Sequence, residues 1–175
     1  MAAATRVIAA QGLGAPTALI AKEAGVSNGS LFTYFDTKAF LLNQLYIELK
    51  SEMSAAALEG LPVDGDVRSQ MEFMWSRWLR WATSNPGKRR TLAHLGVSDD
   101  ITPESHEIGH QAMAGVAVLL ERARKDGPMG GAPLALVGGI LNAITDATVD
   151  FMIRNPTHQD AHSATAFEAL WRMIA

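Results

Sequence analysis

The stretch TALIAKEAGVSNGSLFTYFDTKAFLLNQL, residues 17–45, carries the local signals that decide the fold of the chain. Gly25 can take the left-handed conformation that ends a helix, and the Ser27 hydroxyl can cap the helix that follows. Thr17 and Thr37 are the predicted caps of the neighbouring helices. Two capped helices separated by a three-residue turn are typical of a helix-turn-helix. Its predicted small core consists of Leu19, Ile20, Ala24, Val26, Leu31 and Phe35.

The rest of the chain shows helical periodicity between clear breaks. Apolar residues recur at helical spacing, and no sustained alternation of apolar and polar residues indicates a strand. Breaks such as Asn85-Pro86-Gly87 separate the periodic segments. We therefore predict an all-α protein of about nine helices. It consists of a three-helix helix-turn-helix head in residues 1–48 and a helical bundle in residues 49–175.

The composition is that of a globular protein. Hydrophobic residues make up 48% of the 175 residues and charged residues 19%. The absence of cysteine excludes disulfides, thiolate metal sites and cysteine nucleophiles, so any metal site would need His and carboxylate ligands. The apolar run at the start is too short for a secretory signal, and the most apolar segment, 132–153, contains Asn142, Asp146 and Asp150. We expect a cytoplasmic protein without a membrane-spanning helix.

The charge distribution is uneven between the two predicted regions. The net charge of -3 argues at first against a nucleic-acid partner. Residues 1–50, however, contain four basic and three acidic side chains, a balance of +1, which leaves -4 for the remainder. The head is therefore weakly basic.

Residues 17–45 resemble the DNA-binding head of TetR-type transcriptional regulators. The shared features are the Ala-Gly-Val-Ser turn, a short recognition helix that ends where the family has Tyr-x-x-Phe and this chain has Phe32-Thr33-Tyr34-Phe35, and a Lys and Leu that open a long helix. The resemblance is close over residues 6–49. Phe32 departs from the pattern because Tyr is common there, Thr33 stands where His is common, and the basic arm before the first helix is missing. Fewer phosphate contacts imply weaker non-specific DNA binding.

The resemblance implies a homodimer that binds a palindromic double-stranded DNA operator. A recognition helix needs small or polar side chains at its N-terminal end to enter the major groove. Thr17 and Lys38 are expected to position phosphates, whereas Ser27 and Thr37 could be only caps and Tyr34 only a core aromatic. The predicted DNA-contacting residues are Thr17, Ser27, Asn28, Gly29, Ser30, Thr33, Tyr34 and Lys38.

The resemblance also implies a small, largely apolar effector that binds among the central helices and changes the affinity for DNA. We expect the protein to act as a repressor. A predicted helix over residues 66–84 places tryptophans and methionines on one face, a pattern that fits either a pocket or plain core. The predicted ligand-binding residues are Met71, Met74, Trp75, Trp78, His106, His110 and Met113.

The segment His106-Glu107-Ile108-Gly109-His110 fits the H-E-x-x-H pattern of zinc peptidases. A predicted helix over residues 103–125 places both histidines on an inward-facing stripe. This leaves three roles open for them: structural histidines, ligand contacts or metal ligands. We predict no metal, no cofactor and no catalytic residue. A zinc hydrolase, and a helical small-molecule-binding protein without DNA affinity, are the alternatives.

Residues 134–153 are apolar nearly all round the predicted helix, so more than one side must be covered. Gly138 and Gly139 permit close approach of another backbone. The resemblance places the dimerising helices here, whereas the alternative is a buried core helix in a monomer. The predicted dimer contacts are Leu141, Ile144, Phe151, Phe167, Leu170 and Trp171.

Overall fold

A computed structural model describes residues 1–175 and contains ten helices and no strand. The prediction of an all-α protein is therefore confirmed. The helices are α1 (Ala2–Gln11), α2 (Thr17–Ala24), α3 (Asn28–Tyr34), α4 (Lys38–Leu58), α5 (Val67–Ser84), α6 (Pro86–Gly96), α7 (Pro103–Ala112), α8 (Ala114–Arg124), α9 (Leu134–Arg154) and α10 (Gln159–Ile174).

The tenth helix arises because the single helix predicted over residues 103–125 is two helices, α7 and α8. The backbone of Met113 has φ -91° and ψ 5°, in the bridge region outside the helical range. The Ala117 N–H still donates to the Met113 carbonyl at 3.0 Å, so Met113 directly precedes the first turn of α8. Neither proline nor a side-chain cap marks this break. Apolar periodicity therefore does not reveal it.

The turn between α2 and α3 has the predicted local structure. Gly25 adopts the left-handed conformation, with φ 72° and ψ 25°. The Ser27 hydroxyl accepts a hydrogen bond from the Ser30 N–H at 2.9 Å, and the Thr37 hydroxyl accepts one from the Phe40 N–H at 3.0 Å. These bonds satisfy amides in the first turns of α3 and α4. The predicted caps Ser27 and Thr37 are thus confirmed.

The small core predicted for the helix-turn-helix is only partly right. Ile20 and Leu31 are buried, and Leu19 and Phe35 pack partly buried against them. Ala24 is exposed, as is Val26 with 44% of its surface accessible. The missing apolar surface is supplied by α1 and α4, which contribute Ile8, Leu41, Leu42 and Leu45 to the same core.

The chain forms two compact packing units, and the first contains residues 1–52 and 85–112. Helix α6 packs on α1 within it: the Thr91 hydroxyl donates to the Thr5 carbonyl at 3.0 Å, and Arg90 donates to the Ala9 carbonyl at 3.2 Å. Helices α6 and α7 therefore belong with the head by packing. The functional boundary at residues 48 and 49 stays a prediction.

Asn43 on α4 joins that helix to the segment before α7. Its Nδ2 donates to the Asp100 carbonyl at 2.8 Å, and its Oδ1 accepts from the Thr102 N–H at 2.9 Å. The side chain is buried, where an unmet amide would be costly, and Nδ2 also donates to the Ala39 carbonyl at 2.8 Å. A single asparagine thus ties backbone groups more than fifty residues away in sequence to α4.

The second packing unit contains residues 53–84 and 113–175. Helix α5 packs on α8, α9 and α10, and α9 packs on both α8 and α10. The central side chains come from α5, α9 and α10, and α8 adds the buried Leu119 and Leu120, so no pair of helices forms this core alone. Its fully enclosed large residues include Met71, Met74, Trp75, Leu79, Val137, Val149, Phe167, Leu170 and Ile174.

Arg124 organises the segment after α8. Its buried guanidinium donates to the carbonyls of Met129, Gly130 and Ala132, at 2.9, 3.0 and 2.5 Å, and pairs with Glu121 at 2.7 Å. Arginine suits this position because its five N–H groups can satisfy several carbonyls at once. The irregular segment is therefore folded around one side chain.

Helix α9 is long and apolar enough to cross a membrane by length and composition alone. In the structure one face of it, including Val137, Leu141 and Val149, is buried against the protein's own second unit. The other face, which carries Asp146 and Asp150, is exposed. The prediction of a packed core helix thus holds for one face only.

Candidate functional site

The surface of α3 presents nearly all the side chains predicted to contact DNA. Ser27, Asn28, Gly29 and Thr33 are exposed, and Ser30 is partly exposed. Because these residues are small or polar, a groove could approach the N-terminal end of α3 closely. The arrangement therefore has the shape that major-groove contact requires.

Tyr34 is 77% exposed at the end of α3. The alternative interpretation of Tyr34 as a core aromatic is therefore wrong. A phenolic hydroxyl in this position can donate to a phosphate or a base edge.

Two hydroxyls at the start of α3 are hydrogen-bonded to each other. The Oγ atoms of Ser27 and Ser30 lie 2.8 Å apart, in addition to the capping bond from the Ser30 N–H. Further along, the Thr33 hydroxyl donates to the Gly29 carbonyl at 3.2 Å. The lone pairs of all three hydroxyls are only partly used, so they can accept or share further hydrogen bonds with a nucleic acid.

Thr17 and Lys38 lie at the predicted starts of α2 and α4, and their role in positioning phosphates stays a prediction. Thr17 is the first residue of α2, which Pro16 precedes without any side-chain cap, so the predicted cap at Thr17 is wrong. Lys38 is partly buried, and its Nζ donates to the Leu13 carbonyl at 2.5 Å. This bond fixes the turn before α2 to the start of α4. Two ammonium hydrogens remain for a phosphate.

Sequence reasoning missed three exposed apolar side chains on the head: Val26, Phe32 and Phe40, with 44%, 39% and 45% of their surface accessible. Such groups can contact the methyl group of thymine in the major groove. The signal available in the sequence was the substitution of Phe for a common Tyr at position 32. That substitution removes a hydroxyl and leaves an apolar ring exposed.

The aromatic and methionine stripe of α5 is packed inside the second unit. Met71, Met74, Trp75 and Trp78 are all buried. The indole Nε1 of Trp75 donates to both the carbonyl and the hydroxyl oxygen of Ser163, each at 3.1 Å. A ligand that touched these residues would have to enter a closely packed core. Their role as ligand contacts stays a prediction.

On α7 the two histidines differ in environment. His106 is partly buried, and its Nδ1 lies 3.2 Å from the Tyr46 hydroxyl oxygen. His110 is exposed, because Ser105 and Gly109 occupy the buried positions of this helix. The expectation that both histidines face inward is therefore wrong for His110. Met113 is partly buried at the break between α7 and α8.

The H-E-x-x-H segment does not assemble a group of metal ligands. Glu107 is exposed and accepts a hydrogen bond from the Gln111 Nε2 at 3.1 Å. Across residues 1–175, no three His, Asp or Glu side chains gather within reach of one metal ion. Zinc catalysis requires a third protein ligand beside the two histidines. The hydrolase hypothesis therefore lacks a donor set.

Tyr46 and Lys50, four residues apart on α4, were not predicted as functional residues. Lys50 Nζ lies 5.8 Å from the Tyr46 ring centroid, within cation–π range. Burial disfavours the charged form of a side chain. It therefore raises the pKa of the Tyr46 hydroxyl and lowers the pKa of the Lys50 ammonium. Only the tertiary contact with His106 distinguishes this pair from an ordinary helix face.

The residues predicted for the dimer interface divide into two groups. Leu141, Phe167 and Leu170 are buried in their own protomer's core, so they cannot contact a partner without unpacking. Ile144 and Trp171 are partly buried, and Phe151 is 45% exposed. The interface itself stays a prediction, and Ile144, Phe151 and Trp171 are the members whose surface is open to a partner. The all-round apolar pattern of α9 did not distinguish its buried face from its exposed face.

The comparisons with known proteins agree with this architecture. Residues 1–45 match the family model described as "Bacterial regulatory proteins, tetR family". A protein of Shewanella sp. PV-4 assigned to the TetR family superposes with a TM-score of 0.86 at 26% identity, over 97% of this chain and 93% of that one.

Two further solved structures have the same fold. A TetR family transcription regulator from Marinobacter aquaeolei VT8 gives a TM-score of 0.86 at 22% identity, over 97% of this chain and 90% of that one. The regulator FadR from Bacillus subtilis, solved in complex with stearoyl-CoA, gives a TM-score of 0.73 at 20% identity, over 99% and 97%. Residues 1–45 therefore carry the sequence pattern of the tetR family of bacterial regulatory proteins, and the whole chain has the fold of TetR family transcription regulators, which supports a DNA-binding transcriptional regulator.

Proposed function

We propose that the protein is a homodimeric repressor that binds a palindromic operator and releases it when a small, largely apolar effector binds. The observation that carries the DNA half of this proposal is the exposed recognition helix α3. Its N-terminal end is capped by Ser27, and Tyr34 at its far end is 77% exposed. A capped helix end with small side chains is suited to enter a major groove.

The dimer is supported by the exposed face of α9. Gly139, Ala143 and Ala147 follow one another at four-residue spacing on this face and are all exposed. The apolar residues Leu136 and Phe151 extend the same stripe at its two ends. Small side chains allow two helices to approach closely, and a two-fold axis would bring this stripe against its own copy. Two heads related in this way read half-sites about 34 Å or a multiple apart.

The effector response is supported by the division of α4 between the two packing units. Residues 38–52 of this helix belong to the first unit and residues 53–58 to the second. A change in either unit therefore acts on a helix whose first turn follows the recognition helix directly. A coupling free energy of about 1–3 kcal/mol would change operator affinity roughly 5- to 150-fold. That one relative of the same fold was solved with stearoyl-CoA supports an effector with a long apolar part.

Selection of random duplex DNA by the purified protein tests the regulator. We expect an inverted repeat to be enriched at moderate salt, with a shallow dependence of affinity on salt because the head carries few basic residues. A Thr33→Ala, Tyr34→Ala double variant serves as the matched control, since it changes two exposed residues of α3 and leaves the core intact. An unenriched pool would instead favour a helical small-molecule-binding protein without DNA affinity.

The selected duplex then becomes the probe for the effector. Fluorescence anisotropy of the labelled operator, measured against a panel of apolar small molecules, is expected to show release by at least one class. Met113 is partly buried at the break between α7 and α8, so among the predicted ligand contacts a substitution there should disturb the core least. We expect Met113→Ala to shift the effector concentration at half-release while the affinity for the operator in its absence stays unchanged.

A further inference from the structure

Lys50 carries a charge that no acidic side chain balances. It is partly buried on α4, where its Nζ faces the ring of Tyr46 and forms no ion pair with a carboxylate. Lysine is seldom buried without an anionic partner because removing an ammonium from water is costly. Lys88, in the same packing unit, shows the usual arrangement, with its Nζ 2.6 Å from a carboxylate oxygen of Glu52. Lys50 therefore lacks the anionic partner that a partly buried ammonium usually has.

Tyr46, whose ring centroid lies 5.8 Å from the Lys50 Nζ, also forms a hydrogen bond with His106. The Tyr46 hydroxyl and the His106 Nδ1 are 3.2 Å apart, and their rings meet edge to face with centroids 5.1 Å apart. If the Tyr46 hydroxyl donates in this bond, the neutral imidazole keeps its proton on Nε2. If the His106 Nδ1 donates, the phenol keeps its own proton. The pair can therefore present a donor to an anion.

The ring of Tyr46 is held in place by the backbone of α7. A Cβ atom at Gly109 would lie 2.7 Å from Tyr46 Cε1, so the tyrosine occupies space that any other residue at position 109 would fill. A donor fixed by packing loses less entropy when it binds a ligand than a mobile one does. The cluster of Tyr46, Lys50 and His106 is thus preorganised.

We propose that this cluster binds the carboxylate of an amphiphilic monocarboxylic acid and that this acid is the effector. The inference rests on the proposed effector response and specifies its ligand class. One ammonium balances one carboxylate, whereas a phosphate dianion would leave a net negative charge among buried groups. Burial lowers the pKa of Lys50, and a carboxylate bound beside it would favour the charged ammonium.

Titration calorimetry with octanoate, dodecanoate and hexadecanoate, each compared with the primary alcohol of the same chain length, tests the proposal. We expect the best acid to bind about tenfold or more tighter than its alcohol, as a charge-assisted hydrogen bond would provide. Lys50→Met retains the length of the side chain and should remove the preference for acid. Lys125→Met changes the same charge at an exposed position and should retain it.

A spectroscopic signal from Lys50 itself separates ligand contact from a merely structural role. In protein whose lysines carry carbon-13 methyl groups, the resonance missing from the Lys50→Arg variant identifies Lys50. We expect the acid to shift this resonance and the alcohol to leave it unchanged.

Equal binding of acids and alcohols, or a preference for acid that survives in Lys50→Met, would overturn the proposal. Tighter binding of dodecyl phosphate than of dodecanoate would overturn the assignment to a carboxylate. Operator affinity is measured in parallel, so failure of the regulator appears as absent DNA binding. Release of the operator by acids and alcohols alike would support an effector-responsive repressor and contradict a carboxylate site at Lys50.

Discussion

A methyl group placed at Gly109 on α7 would lie 2.7 Å from Cε1 of Tyr46 on α4, closer than carbon atoms approach in proteins. The glycine inside the H-E-x-x-H segment thus has a packing role. We predict that Gly109→Ala lowers the free energy of unfolding by about 1–3 kcal/mol, because overpacking forces one of the two helices to shift. Chemical denaturation followed by circular dichroism measures the change.

Gly96→Ala is the matched control, since no heavy atom lies within 4 Å of a Cβ built at this exposed helical glycine. Its stability should stay the same or rise by up to about 1 kcal/mol. In a Tyr46→Leu background, which removes Cε1, most of the cost of Gly109→Ala should disappear. A cost that persists undiminished there would show that another contact is responsible.

Tyr34 is expected to serve DNA binding and to contribute little to stability. Because the side chain is 77% exposed, Tyr34→Phe should change the free energy of unfolding by less than about 0.5 kcal/mol. Loss of a hydroxyl that bonds a charged phosphate should weaken operator binding about tenfold. Ser51→Ala, an exposed position further along α4, should alter neither quantity. Unchanged operator affinity in Tyr34→Phe would remove this hydroxyl from the DNA contacts.

The exposed stripe of α9 predicts the effect of one charge on assembly. Ala143→Glu should convert the dimer to a monomer in sedimentation velocity, because a two-fold axis would bring the two new carboxylates close together. The helix itself should be retained, since Ala143 is exposed in the protomer. Ala55→Glu places the same charge on an exposed part of α4 and should leave the dimer intact. A dimer that survives Ala143→Glu would place the interface elsewhere.

Asp66 gives a prediction for the pH dependence of stability. It precedes α5, and hydrogen bonds from the Ser69 N–H and hydroxyl, at 3.0 and 2.7 Å, hold the pKa of its carboxyl below the ordinary value of 3.8. The unfolded state therefore binds the proton more tightly than the folded state in this range. The stabilisation is complete above the ordinary pKa and is lost as pH falls through the lower, folded value.

The comparison of wild type with Asp66→Asn tests this sign, because asparagine can still cap the helix without a charge. The difference in melting temperature should be constant near neutral pH and shrink toward zero in acid. Asp126→Asn, at an exposed position after α8, supplies the control for charge alone. A difference that grows in acid would contradict the assigned cap.

The helix-turn-helix could be predicted from the sequence because its signals act over a few residues. The left-handed turn at Gly25 and the hydroxyl caps at Ser27 and Thr37 depend on dihedral angles and hydrogen bonds within three or four positions. The same local patterns support the exposed recognition helix. Even so, the sequence predicts a buried Val26, which is exposed, because an apolar side chain near a turn does not reveal which side the neighbouring helices cover.

Everything that depends on which helices meet was decided by the tertiary structure. Tyr46 and His106 are sixty residues apart, and neither helix carries a sequence signal for the other. Apolar periodicity indicates that a helix has a buried face, but it does not identify the partner that covers it. The sequence by itself therefore determined only what local signals fix, namely the class of fold and the helix-turn-helix. The break at Met113, the exposure of His110 and the cluster around Lys50 were decided only when the helices packed.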